Sequence, residues 1–313
     1  MDELLKTLKA VAEPSRLRLL ALCAEGEFTV SELVQILGQS QPRVSRHLKL
    51  LCDAGLLQKL REGSWMLYRF APEKGAADIA DLLLSRIPEK DPTFAMDRKR
   101  LRKVLADRSK AAEVYFNQTA DHWDEIRGLH VEDAEVENAI TQNLYSGPIE
   151  KFLDIGTGTG RILELIAPHA KSADGIDLSQ EMLAIARANL DQASLKNCQI
   201  RQGDMYQLPF GDNQYDAACI HQVMHFADEP NRVIGEAARV LRPGGKLVVV
   251  DFAPHDMEDL RNTYHHRRLG FSDGEFVHWF QRNGLSFKSP QHLPGGQITV
   301  AIWTGIKAIP KGG

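Results

Sequence analysis

Cysteine is scarce in this sequence of 313 residues: Cys23, Cys52, Cys198 and Cys219 lie far apart, with no C-x-x-C spacing. That excludes a disulfide framework and leaves buried free thiols; metal or arsenic coordination by them has little support. No apolar run approaches the roughly 20 residues that a bilayer span requires, so no membrane partner is expected. The opening MDELLKTLKA has no basic stretch followed by an apolar one, so it does not read as a secretory signal, and a cytoplasmic protein is expected. Positive charge is not in excess either. The net charge of −4 argues, taken alone, against a nucleic-acid binder. Its distribution is uneven, however. Residues 1–90 hold 13 Lys and Arg against 12 Asp and Glu, whereas residues 91–313 hold 25 against 30.

The length suggests two domains. In the first, residues 1–90, AEPSRLRLLALCAEG reads as a helix with Pro14 in its first turn and Gly26 at its stop. TVSELVQILG follows, with Thr29 and Glu32 placed for a capping box and Gly38 closing the helix. SQPRVSRHLKLLCDAG begins again at Ser40 and ends at Gly55. Two helices joined by a short glycine-containing turn make a helix-turn-helix. On the second, Val44, Leu48 and Leu51 share one stripe, and Ser45, Arg46 and Lys49 fall opposite. Gln41 stands at the N-terminal end and Arg43 on the flank; no acid occurs from Val44 to Cys52. A helix with one apolar stripe and a basic, amide-bearing outer face suits the major groove. LLQKLREGSWMLYRF then reads as a hairpin wing around Glu62-Gly63-Ser64, with Lys59, Arg61 and Arg69 available to phosphate. A helical bundle with a merely solvated basic face is the weaker reading, because helix, turn, helix and basic hairpin come in order.

The segments EPSRLRLLALC, TVSELVQILGQSQPRVSRHLKLLCDAGLL and REGSWMLYRF resemble the ArsR family of winged-helix repressors over essentially all of residues 1–90. The resemblance implies a homodimer on an inverted-repeat operator in double-stranded DNA, usually released by an effector. It also implies that DELLKTLKAV and AADIADLLLSRI form the dimer contact. Metal-sensing members carry paired cysteines on the helix before the recognition helix; VSELVQIL has none, so the effector must enter elsewhere.

Pro88 and Pro92 mark a boundary, and residues 91–114 read as a charged helical linker. Its basic run, Arg98, Lys99, Arg100, Arg102, Lys103, Arg108 and Lys110, is either a solvated face or an auxiliary DNA or dimer contact. Tyr115, Phe116 and Trp123 bring aromatics back where the lid of the next domain, 115–313, is expected.

That domain alternates strands and helices from KFLDIG to KLVVVDF and ends in LSFKSP and QITVAIWTGIK, two strands able to pair antiparallel. The pattern predicts an α/β fold with βαβ units and a doubly wound sheet, whose ligands bind beyond the carboxyl ends of the strands where the strand order reverses. The DIGTGTG loop lies at such an end. Gly156, Gly158 and Gly160 give G-x-G-x-G behind Asp154, not the G-x-G-x-x-G of dinucleotide sites. Asp177 ends the second strand and Asp204 follows the third, so acids close three strands. They suit ribose, an exocyclic amine and a cationic sulfonium amino acid, and they repel a pyrophosphate.

LDIGTGTGR, GIDLSQEML, QGDMYQLPF and EAARVLRPGGKLVVVDF resemble the class I S-adenosylmethionine-dependent methyltransferases over roughly residues 115–310. This implies a Rossmann-like, mostly parallel seven-stranded sheet with an antiparallel edge strand. S-adenosylmethionine or S-adenosylhomocysteine is the implied cofactor. Asp154, Gly156, Gly158 and Gly160 would line its methionine arm, and Asp177 would hold the ribose. Met182 or Leu178 would pack near the adenine, Asp204 with Met205 would bind it, and His221 with Gln222 would face the methyl group. Tyr115 and Trp123 look like lid aromatics of the menaquinone- and ubiquinone-methyltransferase-like subgroup. The sulfonium carries the reactivity, so alignment of a small-molecule acceptor can suffice and no base need stand out. Candidate bases are His221, His225, His265 and His266. His221 and His225, four apart, would share a helix face, but no acid clearly completes a metal site and no metal is expected. Arg267 and Arg268 either bind an anionic acceptor or are surface charges. Arsenite methyltransferases of this class use several cysteines that Cys198 and Cys219 do not reproduce. Two functions remain: a DNA-binding regulator that responds to cofactor state, and a small-molecule methyltransferase whose head regulates its own operon.

Overall fold

A computed structural model describes residues 2–62, 65–70, 72, 76–88, 91–127, 131–145, 147–260 and 266–309, with the backbone alone for 2–3, 60, 62, 65, 109 and 111–127. The chain divides into two compact units, Met1–Lys110 and Ala111–Gly313. The expected lid aromatics Tyr115, Phe116 and Trp123 lie outside the described side chains, and His265 lies outside the described residues.

The first unit opens with α1 (Asp2–Val11), α2 (Pro14–Glu25), the two-residue β1 (Phe28–Thr29), α3 (Val30–Leu37) and α4 (Gln41–Asp53). β2 (Leu57–Glu62) and β3 (Trp65–Phe70) form the wing, β3 lying between β2 and β1 with antiparallel pairing on both sides. The capping box of α3 is present in both directions. Gly38 takes the left-handed φ of 65° that turns the chain from α3 into α4. Val44, Leu48 and Leu51 are fully buried with Leu19, Leu33 and Ile36, so the apolar stripe of α4 faces the core. Arg69 is a correction to the expected phosphate contacts. It is buried, donates from Nε to Gln58 Oε1 at 3.0 Å and stands 3.7 Å from Glu27, because its side of β3 faces the domain interior.

After α5 (Ala77–Ser85), the stretch read from sequence as a linker starts α6 (Pro92–Arg127). Its first half is built into the head: Leu101 and Val104 join the head's core. Three polar contacts fasten it to α2 and to both ends of α3. The Arg108 guanidinium reaches the two Glu32 oxygens at 2.6 and 2.9 Å and the Glu27 carbonyl at 2.7 Å. Arg100 donates to the Ile36 carbonyl at 3.1 Å. Asp97 accepts a two-pronged pair from Arg18 at 2.5 and 2.6 Å, and Arg18 also reaches the Leu37 carbonyl. Burial alone would raise the Glu32 carboxyl, but Arg108 and the Thr29 donors outweigh it and hold the group below its ordinary value. Arg108→Ala therefore leaves Glu32 half-buried without its cation, held only by the Thr29 donors. We expect a loss of about 2 kcal/mol from the head, read by urea unfolding at pH 7. Because the folded carboxyl titrates low, the contribution is complete at neutral pH and disappears as the pH falls below 4.5.

Counting α6 with the head changes the charge picture. Residues 1–110 hold 20 Lys and Arg against 15 Asp and Glu, a net +5, and residues 111–313 hold 18 against 27, a net −9.

The second unit continues with α7 (Asp133–Leu144), β4 (Ile149–Ile155), α8 (Arg161–Ile166), β5 (Ala170–Asp177), α9 (Gln180–Gln192), β6 (Cys198–Gln202), β7 (Tyr215–His221), α10 (Pro230–Val240), β8 (Leu241–Phe252), α11 (Asp273–Arg282), β9 (Leu285–Phe287), β10 (Gln291–Pro294) and β11 (Thr299–Lys307). The sheet order is β10-β11-β8-β7-β4-β5-β6, with β9 also on β11. β6, β5, β4, β7 and β8 run parallel; β11 is antiparallel to β8, β9 and β10. The sheet thus has eight strands against the expected seven. The extra one is β10, whose His-Leu-Pro followed by two glycines reads as a loop; Pro294 is tolerated because β10 is an edge strand. Alternation along each strand feeds two cores. Phe152, Val248 and Val250 pack under α7, α8 and α9, while Leu153, Ile155 and Val249 pack under α10 and α11. Trp303 is fully buried and stacked on Phe276 at 4.0 Å. β4 sits at the centre with β5 and β7 leaving on opposite sides, which puts the switch point at the carboxyl end of β4.

Candidate cofactor cleft and DNA-binding surface

A cleft of about 600 Å³ opens at that switch point. Asp154 and the glycine turn after β4, Asp177 and Leu178 after β5, Met182 on α9, Gly203 to Tyr206 after β6, and His221 to Val223 after β7 line it. Asp133, Val136, Glu137, Arg161, Phe226, Asp228 and Arg267 also line it.

Asp154 is the buried anchor. It is 1% exposed; its Oδ2 accepts from the Thr157 hydroxyl at 2.7 Å, and its Oδ1 has no partner. Burial pushes its carboxyl up to about 7; the Thr157 bond opposes this and the neighbouring Asp177 charge adds to it. A buried carboxylate oxygen at a cleft wall without a donor is the place for a cationic ligand group. Asp177 accepts from the Gly158 amide and from the Ser179 amide, both at 2.9 Å, so one carboxylate ties the glycine turn to the N-terminus of α9. Gly158 has a φ of 52° and no atom within 4 Å of where a Cβ would stand, leaving backbone open to the cleft. Asp204 is exposed and accepts from the Tyr206 amide at 2.8 Å. Leu178 is 70% exposed and Met182 half-buried, an apolar pair with no core to cover them. The residues present fit an adenosine carrying a cationic amino-acid arm.

Three expectations need correction. Gly160 does not line the cleft. With a φ of 83° it starts α8, and a Cβ there would stand 3.1 Å from Ala186 Cβ, so its role is close packing of α8 on α9. His221 and His225 do not share a helix face: β7 runs to His221, Gln222 takes a φ of 52°, and His225 falls in a short 3-10 turn, Met224–Phe226. His221 stays on the cleft, whereas His225 is 4% exposed with Nδ1 2.9 Å from Asp251 Oδ1. His266 is also buried, stacked on His225 at 3.9 Å; burial, with the nearby His225 adding to it, lowers it to about 3. Neither His225 nor His266 lines the cleft, so of the described histidines expected as bases His221 alone reaches it. Arg267 and Arg268 separate as well. Arg267 lines the cleft paired with Asp228, and Arg268 turns to Glu275 and over Phe271. Burial raises the thiols of Cys198, to about 12, and Cys219, and neither is on the cleft.

Sequence reasoning missed Thr157 and Asp251. Asp251 is fully buried, accepts from the amides of His225 and Phe252, and holds the turn that presents Val223 and Phe226 to the cleft. A lone acid closing the apolar run LVVVDF was the available signal.

In the head, Gln41, Arg43, Arg46 and Lys49 on α4 are exposed and Ser45 is half-buried. Arg43 stands 3.6 Å from Glu13. Arg61 is exposed near the wing tip.

Comparison with known proteins finds a family match in each unit. Residues 13–59 match the family described as bacterial regulatory protein, arsR family, and residues 153–249 match the methyltransferase domain family. The chain thus carries a region matching the arsR-family regulatory model in its first unit and a region matching the methyltransferase domain model in its second. Among its relatives is the uncharacterized methyltransferase YcgJ of Bacillus subtilis, 28% identical over 194 residues, which cover 58% of this chain and 72% of that protein. The crystal structure of YcgJ superposes with a TM-score of 0.52 at 19% identity, over 56% of this chain and 99% of that one. A demethylmenaquinone methyltransferase of Desulfitobacterium hafniense is 27% identical over 252 residues, 70% of this chain and 99% of the relative. A phosphatidylethanolamine N-methyltransferase of Cereibacter sphaeroides is 37% identical over 107 residues; the match takes 34% of this chain and spans about half of that enzyme, 52%.

Proposed function

We propose that this chain is a transcription regulator, most simply a repressor, whose affinity for its operator follows the occupancy of the cleft by S-adenosylmethionine or S-adenosylhomocysteine. The buried, partnerless oxygen of Asp154 carries this reading. It supports a cationic amino-acid arm in the cleft; in this reading Gly156 and Gly158 lie beside that arm, Asp177 holds the ribose, and Leu178, Met182, Asp204 and Met205 surround the adenine. Bound there, the cofactor supplies an electrophilic methyl group. The helix-turn-helix presents Gln41, Arg43, Ser45, Arg46 and Lys49 to the major groove, with Arg61 of the wing on phosphate. Exposed Leu4, Leu5 and Leu8 on α1 and Leu82 on α5 support a homodimer, which suits an inverted-repeat site. Such a regulator works in the cytoplasm, on the nucleoid when bound.

A second reading is supported by the far wall of the cleft. Phe226, Asp228 and Arg267 extend it beyond the three strand-end acids, beside His221, giving room for a small methyl acceptor. Turnover and sensing are compatible. Arg267 is already paired with Asp228, so it is not a free cation for an anionic acceptor.

Sensing requires that DNA-bound and free states differ in cofactor affinity. A duplex selected from a random pool by the full-length protein, titrated with each cofactor form separately, is expected to change its Kd by about 5-fold or more with one of them. No change with either form would reject the sensor reading and leave the enzymatic one, which labelled methyl transfer in a cell extract tests.

A further inference from the structure

The contacts that fasten α6 to the head also fix what its opposite side can do. Asp97, Leu101 and Val104 are buried and Arg108 is tied to Glu32. At about 100° per residue these four fall within a sector of about 60°. Lys99, Arg102, Lys103 and Lys110 fall in a sector of about 100° diametrically opposite. All four are exposed, and among the described residues none has an ion-pair partner. Ala106 lies between them, so the ridge itself carries no acid over about 16 Å. Lys99 and Lys103 are four apart, an arrangement that costs a free helix a few tenths of a kcal/mol. The like charges are therefore concentrated on a helix that the head core keeps in place, with one acid, Asp107, at the edge of the ridge four residues from Lys103. Seven of the head unit's 20 cations lie in residues 92–110, and without them the unit would be acidic.

We infer that the outer ridge of α6, Lys99, Arg102, Lys103 and Lys110, is a second DNA contact, binding the phosphodiester backbone of the duplex that α4 reads. Charge complementarity selects the occupant: the ridge has no apolar centre for a protein partner, and its unit already carries a helix-turn-helix for double-stranded DNA. Its contacts are sequence-independent, adding affinity without discrimination. The inference needs the DNA-binding head and is independent of any cofactor effect.

The test is a salt titration of full-length protein on a 40-base-pair duplex of random sequence, read by fluorescence anisotropy. Each phosphate contact contributes about 0.9 to the slope of log affinity against log salt. Lys99→Gln, Arg102→Gln, Lys103→Gln and Lys110→Gln together are expected to flatten the slope by about 2 or more and to weaken binding at least 10-fold at 100 mM salt. The pair Lys99→Gln with Lys103→Gln should give about half of that change, and guards against a quadruple variant that does not fold. A control on the second unit, Lys171→Gln with Lys288→Gln, should leave the slope alone. Unchanged slope in a folded variant, an equal change in the control, or tighter DNA binding would each overturn the inference.

Discussion

Asp154→Asn should reduce the affinity for S-adenosylhomocysteine at least 100-fold while making the ligand-free protein more stable at pH 8. Both effects have one origin. The Asp154 carboxyl is buried at the cleft wall with one oxygen unpartnered, and burial raises it to about 7. A raised acid means that the folded state holds its proton longer than the unfolded one. Stability of the empty protein therefore falls as the pH rises from about 4 toward 7, and stays reduced above that range. Asn cannot ionise and removes this dependence. A cationic ligand arm offsets the same penalty by pairing with the carboxylate, and losing a charge-assisted contact in a dry site costs about 3 kcal/mol or more. Calorimetric titration and thermal unfolding between pH 4 and 8 check the two halves. Wild-type affinity in Asp154→Asn would remove the assignment of this oxygen to the ligand.

The second large effect is on the head. Arg46→Ala with Lys49→Ala should lower operator affinity at least 100-fold and leave S-adenosylhomocysteine binding unchanged. Each lost base or phosphate contact costs about 1–3 kcal/mol, and a two-fold dimer loses each contact twice. Both side chains stand on the exposed face of a helix whose opposite side, Val44, Leu48 and Leu51, is fully buried. The replacements therefore remove no core packing. Retained operator binding would show that α4 does not read the groove. The ridge on α6 behaves differently: its removal should weaken random and selected duplexes alike, whereas the α4 variant should lose the difference between them.

The sequence determined the local parts. The Thr29–Glu32 capping box, the Ser179 cap of α9, the buried stripe of α4 and the acids ending β4 and β5 depend on neighbours a few residues away, so spacing alone reveals them. Among the cleft-lining residues, Asp154, Gly156, Gly158, Asp177 and Asp204 were legible because glycines and acids cluster at the carboxyl ends of strands, whereas Leu178, Met182, Met205 and His221 came only with the resemblance to the methyltransferases. Only the tertiary structure decided which residues meet across the chain. Helical spacing put His221 and His225 on one face, but the backbone reverses at Gln222, and a carboxylate 26 positions away in β8 draws His225 into the interior. Gly160 belongs to helix packing because Ala186 of α9 stands against it. The charged run after Pro92 was readable as a helix, yet whether its cations face water or protein depended on Glu32 and Ile36, more than 60 positions earlier. Burial of a charge is decided by what packs against it, and no periodicity in α6 itself carries that information. That long-range packing moved residues 92–110 into the DNA-binding unit, so that a head reading as nearly neutral in sequence has a net charge of +5.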